Sequence, residues 1–333
     1  MKKILVTGGC GFIGSSFVVQ QVQKGNLVVN VDKMTYAANA DNVAEVVANE
    51  NYHFVKGDIN DQALVEKLLE QFEIDWLVNF AAESHVDNSI ANADVFITTN
   101  INGTFSLLQA ALQYYGKLTG AKKDNFRFLH VSTDEVFGSL KEGEPAFTEE
   151  NCYQPNSPYS ASKAASDHLV RAWNETYKLP TIITNCSNNF GAKQHSEKLI
   201  PTIIRSALSG KDIPIYGNGK NIRDWIFVED HCKGIALALE KGGVGETYCF
   251  GGESEMRNIE IAQIICSELD QLKPRADKLS YTTQIKFVED RKGHDYRYAI
   301  NNAKVRSELG FVVEKGFLER IKEVVKENLT SIK

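Results

Sequence analysis

Glycines 8, 11 and 14 constrain this chain most, because of what stands on either side of them. An apolar run at 4–7 leads into Gly8-Gly9-Cys10-Gly11-Phe12-Ile13-Gly14, and an amphipathic stretch at 12–24 follows. Strand, glycine turn and helix in that order open a nucleotide-binding unit. The turn is tight, the backbone can approach a diphosphate closely, and helix N–H groups point at it. The spacing G-x-x-G-x-x-G is looser than the usual dinucleotide fingerprint, and glycines alone are a weak signal. Asp32 strengthens the reading, since it closes the next strand-like run, 27–31, eighteen residues after Gly14. An acidic side chain there accepts hydrogen bonds from adenosine ribose hydroxyls and repels a 2′-phosphate, which favours NAD over NADP. Lys33 beside it works against that preference. Asp58-Ile59 follows the third run, where an adenine contact is expected. The small residues of Ala81-Ala82-Glu83-Ser84 follow the fourth and allow a cofactor to come close.

Further strand-like runs lie at 53–55, 76–80, 126–131 and 181–185, with helical patterns at 61–72, 92–118 and 159–178 between them. This alternation predicts a Rossmann-type α/β fold, a doubly wound parallel sheet with helices on both faces. Right-handed crossovers then gather the loops after the strands along one edge, where ligands bind. The pattern loosens after residue 190. Residues 213–219 read as Pro/Gly-rich loop, 229–241 and 257–270 as helices, and a charged loop precedes 298–300. At 333 residues the chain is long for one compact domain. The expected division is an NAD-binding domain over 1–190, rejoined by 225–248, and a smaller α/β substrate-binding C-terminal domain from 191–224 and 249–333.

Composition narrows the function classes. Apolar content is 43%, charged content 24% and net charge −6, values of an ordinary soluble globule. No basic run offers a grip on nucleic acid or an anionic membrane, so any cation that meets an anionic ligand must be local. No apolar stretch reaches the length of a membrane span, and Met1-Lys2-Lys3 leaves no expected room for a signal peptide. The six cysteines are scattered without a CxxC pair. They read as reduced thiols of a cytoplasmic protein, with no disulfide framework and no metal site. Cys10, in the glycine loop, reads as a small filler.

The run 126–131 delivers Ser132-Thr133-Asp134-Glu135 to the binding edge. Tyr159 and Lys163 stand four apart in YSASK, one helical turn, so phenol and ammonium share a face. A phenol beside a fixed cation can ionise below its ordinary value of about 10 and act as a base. An oxidation needs only that base. Two further carboxyls imply a second step, in which a proton leaves carbon and a leaving group departs. Adjacent carboxylates are more often solvated surface. Their place at a strand end, upstream of Tyr159 and Lys163, marks these as catalytic.

The segments TGGCGFIG, VDKMTYAAN, AAESHVDNSI, STDEVFG, SPYSASKAASDHLVRAW, TNCSNNFG, EKLIP, IYGNGKNIRDWIFVEDH and EDRKGHDYRYAI resemble the extended short-chain dehydrogenases/reductases. Within them the likeness, from residue 2 to about 325, is to the nucleotide-sugar 4,6-dehydratases. The glycine loop and YxxxK are common to the superfamily, whereas TDE, GNGxxxRDW and GHDxRY are much narrower. The resemblance implies NAD as a cofactor regenerated within each turnover and a nucleotide-sugar substrate, with dTDP-glucose expected. Tyr159, its pKa lowered by Lys163, would take the proton of the sugar 4-hydroxyl as C4 is oxidised, and Thr133 would hydrogen-bond the same oxygen. Glu135 would remove the C5 proton that the new ketone acidifies, and Asp134 would protonate the departing 6-hydroxyl. Hydride return to C6 would leave a 4-keto-6-deoxy sugar. On the cofactor side the resemblance adds Phe12, Ile13, Lys33, Met34, Thr35, Phe80, Ser84, Thr99 and Asn189, with Lys163. On the substrate side it implies Ser84, Thr133, Asn188, Glu197, Lys198, Leu199, Pro214, Tyr216, Arg223, Asn258, Asp290, Arg291 and His294. Arg223 is the expected diphosphate anchor, because its planar fork can hold two oxygens.

Some positions depart from the family pattern. Phe137 and Phe190 stand where tyrosine is common, Asn88 replaces an arginine, Asn301 replaces an aspartate, and 191–196 reads GAKQHS. The last change adjoins the substrate positions. The resemblance also implies a homodimer through a four-helix bundle, using apolar faces with Phe105, Leu108, Leu112, Leu169, Ala172 and Trp173. Two alternatives remain at this level. One is another nucleotide-sugar enzyme, a 4-epimerase or a dehydratase of UDP- or GDP-sugars. The other is a non-catalytic NAD-binding regulator.

Overall fold

Runs of Ile, Leu and Val with no polar alternation suit strands covered on both faces, and Ile4, Leu5 and Val6 are fully buried. The computed structural model describes residues 1–331. Its strands are β1 (Lys3–Thr7), β2 (Leu27–Asp32), β3 (Tyr52–Lys56), β4 (Trp76–Asn79), β5 (Arg127–Thr133), β6 (Thr181–Cys186), β7 (Asn188–Phe190), β8 (Ile213–Tyr216), β9 (Ile222–Phe227), β10 (Thr247–Phe250), β11 (Glu255–Arg257) and β12 (Ile285–Val288). Its helices are α1 (Phe12–Gln23), α2 (Gln62–Phe72), α3 (Val86–Ala91), α4 (Asp94–Phe96), α5 (Gly103–Lys117), α6 (Gly120–Asn125), α7 (Pro158–Tyr177), α8 (Leu199–Leu208), α9 (Val228–Lys241), α10 (Asn258–Leu272) and α11 (Phe317–Ser331).

The large sheet has the order β3-β2-β1-β4-β5-β6-β10, and every neighbouring pair is parallel. Its order reverses at β1, between β2 and β4, which opens a crevice at the strand C-termini. Phe17, Val18, Ile235 and Leu239 of α1 and α9 fill one face of this sheet. Leu68 of α2, Leu107 of α5 and Val170 of α7 fill the other. Each fully buried side chain of this size contributes about 1.5–3 kcal/mol. A further core joins Ile203 of α8, Ile265 of α10 and Val324 of α11 to Trp225, beside the small sheets β11-β9-β7 and β12-β8.

The Pro/Gly-rich loop expected at 213–219 is a correction. Residues Ile213–Tyr216 form a strand parallel to β12. Ile213 and Ile215 point inward while Pro214 and Tyr216 face out, the period-two pattern of an edge pair. β12 itself lies in the segment read as charged loop. β10 ends at Phe250, so a boundary at 248 cuts a strand of the large sheet.

Local chemistry fixes where the site residues fall. The Thr133 hydroxyl accepts from the Glu135 N–H at 3.2 Å and starts a short 3-10 turn over Asp134–Phe137. That cap turns both carboxyls off the end of β5. The turn stops at Gly138, where φ is +86° and a Cβ would lie 2.5 Å from the Gln154 carbonyl oxygen, a place for glycine only. Ser157 caps α7 by accepting from the Ser160 N–H, with Pro158 in the first helical position. This start sets Tyr159 in the first turn and Lys163 one turn later.

Candidate active site

Two adjoining cavities of about 480 Å³ and about 400 Å³ open along the C-terminal edge of the large sheet. They share Ser84, Glu135, Asn188, Glu197 and Lys198, so they form one cleft with Glu135 at the junction. The larger cavity is lined by Gly8, Gly11, Phe12, Ile13, Gly14, Asp32, Lys33, Thr35, Asp58, Ile59, Phe80, Ala81, Ala82, Ser84, Thr99, Thr133, Asp134, Tyr159, Lys163 and Asn189. Among the expected cofactor residues, Met34 does not line it. Its side chain packs on the core beneath, while its N–H donates to Asp32 at 2.8 Å.

The larger cavity fits NAD in form and charge. A Cβ on Gly14 would lie 2.3 Å from the Gly8 oxygen, and one on Gly8 would lie 2.7 Å from the Ala81 nitrogen. No side chain caps the start of α1, so its N–H end is left to an anion. Asp32 receives the Cys10 N–H at 2.9 Å, which ties the glycine loop to the residue expected to hold the ribose. Lys33 pairs with Asp58 at 2.6 Å, so the cation that argued for a 2′-phosphate is already balanced. Cys10 is buried, and burial with the nearby Asp32 charge pushes its thiol up to about 11. That fits a filler.

The smaller cavity is lined by Ser84, Asn188, Glu197, Lys198, Leu199, Pro214, Tyr216, Arg223, Asn258, Arg291 and His294. Two expected substrate residues lie elsewhere. Thr133 belongs to the larger cavity. Asp290 lines neither, because its carboxylate is turned to His294 Nδ1 at 2.6 Å. Arg223 is largely sequestered, donating to the Asp295 carbonyl at 2.9 Å and lying over the Tyr298 ring at 4.3 Å. Asp87 was missed as a site residue. It lines this cavity, pairs with Arg291 at 2.6 Å and meets the Tyr216 hydroxyl at 3.3 Å. Its signal was the segment AAESHVDNSI, which places it two residues after His85.

Electrostatics separate the two carboxyls. Asp134 is buried, and burial, Glu135 and Asp224 push it well above the ordinary carboxylate range. Glu135 is half-buried; burial raises it too, but Arg223 and Lys198 pull it back. Asp134 is therefore the group that keeps a proton, and Glu135 the one that gives it up first. Asp134 Oδ2 is buried with no hydrogen-bond partner among the described residues.

Tyr159 differs from expectation. Its phenol sits well above 10, because burial and the neighbouring Glu135 charge oppose an anion. Lys163 does not offset this. The bonds found for its ammonium run to the Val131 carbonyl at 2.8 Å and His130 Nε2 at 3.2 Å. The helical spacing is as read, but the cation is engaged on the sheet side.

Phe137 and Phe190 explain how two hydroxyls can be absent. Phe137 packs on Phe147 and Tyr153, and Phe190 packs on Phe317 at 4.8 Å. In such sites a bare ring leaves no buried hydroxyl to satisfy.

Parallel sheet, glycine loop and a Tyr159/Lys163 pair at one crevice define an extended short-chain dehydrogenase/reductase. The sequence matches the family model described as GDP-mannose 4,6 dehydratase over residues 5–324. A dTDP-glucose 4,6-dehydratase of Xanthomonas campestris pv. campestris is 55% identical over 93% of this chain and 88% of its own. One from Haemophilus influenzae is 50% identical over 98% and 97%. A crystal structure of the dTDP-glucose 4,6-dehydratase of Streptomyces venezuelae with NAD bound superposes with a TM-score of 0.89. Its identity is 42%, and the match covers 98% of this chain and 97% of that one. The chain belongs to the dTDP-glucose 4,6-dehydratase family.

Proposed function

We propose that this chain is an NAD-dependent dTDP-glucose 4,6-dehydratase, a hydro-lyase that forms dTDP-4-dehydro-6-deoxy-glucose. The observation that carries the reading is the pair Asp134 and Glu135 in unlike environments, Asp134 on the larger cavity and Glu135 at the junction of the two. Glycines 8, 11 and 14, Asp32, Asp58 and Asn189 would hold NAD, which supplies a hydride acceptor and later a hydride donor. Tyr159 receives the proton of the 4-hydroxyl, with Thr133 on the same oxygen. Burial and the Glu135 charge hold the phenol neutral in the free cleft, and positive charge brought there by the cofactor would favour loss of its proton. The C4 ketone acidifies the C5 hydrogen, which Glu135 removes. Asp134 gives its proton to the 6-hydroxyl, which leaves as water. Hydride at C6 and a proton at C5 complete the product. Lys198, Arg223 and Arg291 supply positive charge for the diphosphate, in an otherwise acidic protein.

An epimerase needs only the C4 step and has no use for two further carboxyls. Substrate deuterated at C4 tests the choice by NMR. Deuterium at C6 of a 4-keto product is expected. Label kept at C4 of an inverted sugar means an epimerase, and unchanged substrate means another nucleotide or no catalysis.

The proposed division moves the later boundary to the end of β10, with 1–190 and 225–250 in the cofactor domain and 191–224 and 251–333 in the substrate domain; 332 and 333 lie outside the described residues. No helix among the described residues is long and apolar enough to cross a membrane, and six free cysteines fit a cytoplasmic setting. The proposed homodimer face is narrower than the sequence implied. Leu108 is fully buried inside the protomer, whereas Phe105 and Tyr177 are exposed and each packs edge-on against Trp173. These three rings, on α5 and α7, give an exposed apolar face that favours a second copy of the chain. Sedimentation should give twice the protomer mass, and a monomer mass at every concentration would rule the dimer out.

A further inference from the structure

Lys163 backs onto a set of buried polar groups that the reaction above does not use. Across the large sheet, Thr7 of β1 is in register with Asn79 of β4, and Asn79 with His130 of β5. The Thr7 hydroxyl lies 2.6 Å from one end of the Asn79 amide, and His130 Nδ1 lies 3.1 Å from the other. The row therefore fixes the His130 ring. Its Nε2 meets Lys163 Nζ at 3.2 Å and Asp167 Oδ1 at 3.5 Å. Asp167 stands one turn after Lys163 on α7, so both face β5. Its Oδ2 receives the Ser132 hydroxyl at 2.7 Å and the Tyr153 hydroxyl at 3.0 Å. Its Oδ1 is buried without a hydrogen bond among the described residues.

We propose that His130 and Asp167 are positioning residues for Lys163: the ring fixes where the ammonium sits, and the carboxylate supplies the countercharge that keeps it an ammonium in a dry site. An ammonium has three hydrogens. Val131 O takes one. His130 Nε2 takes the second when the ring carries its proton on Nδ1 and the Asn79 amide turns its oxygen to that N–H and its NH2 to the Thr7 hydroxyl. The third is left for the cleft that Lys163 lines. A single buried cation would shed its proton to escape the desolvation cost. Burial does bring Lys163 down to about 8, with Asp167 first and Cys186 second among the charges opposing that fall. Asp167 is itself raised to about 6 by burial, held down by Lys163 and by bonds from Ser132, Tyr153 and Asn185. His130 is kept neutral by burial and by the Lys163 charge. Groups facing Lys163 are thus His130 on β5, Cys186 at the end of β6, and Tyr159 and Asp167 on its own helix. Between about 6 and about 8 the carboxylate and the ammonium are charged together. Removing the Asp167 charge must move the upper limit down.

The test is an NMR pH titration of NAD-loaded protein carrying lysine labelled at Cε, with the Lys163 signal assigned by its loss in Lys163→Met. In Asp167→Asn the Lys163 midpoint should fall by about one pH unit or more, a tenfold shift in the equilibrium. The alkaline limb of the kcat/KM profile should move with it. His130→Leu should lower kcat with little change in KM, and His130→Gln, whose carbonyl can accept from the ammonium, should recover much of that loss. An unchanged midpoint in Asp167→Asn overturns the proposal. So does a Lys163 that is already neutral at pH 7 in the wild-type protein, a result that stands even if the variants fail to fold. The inference rests on placing Lys163 in the reacting set. The titration reads the cluster without turnover, so its failure is distinguishable from failure of the dehydratase reading.

Discussion

Tyr159→Phe should lower kcat by roughly 10²–10⁴-fold, the range for losing a positioned acid–base group, while NAD stays bound. The substitution removes one oxygen and keeps the ring, which packs edge-on against Phe96 at 6.3 Å. Because the phenol is buried and already neutral in the free cleft, its loss uncovers no unpaired charge. Fold and cofactor content should therefore be preserved. Turnover of dTDP-glucose gives the rate, and the absorbance of cofactor released on denaturation gives the content. A variant within tenfold of wild type would remove Tyr159 from the proton transfer. A variant that loses NAD would make it a cofactor residue first.

The sequence was most informative where one local rule dominates. Runs such as Ile4-Leu5-Val6 and the helical pattern over 159–178 depend on burial and periodicity, and both are local properties. β8 was misread because Pro214 and Gly217 look like turn residues. What makes it a strand is pairing with β12, about seventy residues away, which no local window contains. Met34 and Asp290 sit in motif segments, yet their side chains turn to the core and to His294. Neighbours in sequence do not share a direction. The chemistry divides in the same way. The four-residue spacing placed Tyr159 and Lys163 on one face, but His130 and Val131 draw the ammonium toward the sheet, and they come from another element. Likewise Asp134 and Glu135 are adjacent in the chain and unlike in the fold. Asp224 presses on the first, while Arg223 and Lys198 act on the second.

That contrast predicts how Glu135→Gln fails. The amide has the shape of the acid but cannot take a proton from C5, so overall turnover should fall by roughly 10²–10⁴-fold. The first step should survive, and its electrostatics should ease. Glu135 is the leading charge holding the Tyr159 phenol up, so neutralising it brings the phenol down and favours proton loss from the 4-hydroxyl. Rapid mixing with dTDP-glucose should therefore show cofactor reduction at a rate no slower than wild type. Signal should accumulate because elimination is blocked and hydride has no C6 acceptor. Asp134 is also relieved, since Glu135 raises it, yet burial still holds it up. An acid is thus left in place with nothing to protonate. Equal loss of reduction and elimination would show that Glu135 supports the whole site and not the carbon acid step alone. Full elimination activity would hand the C5 proton to another group in the cleft.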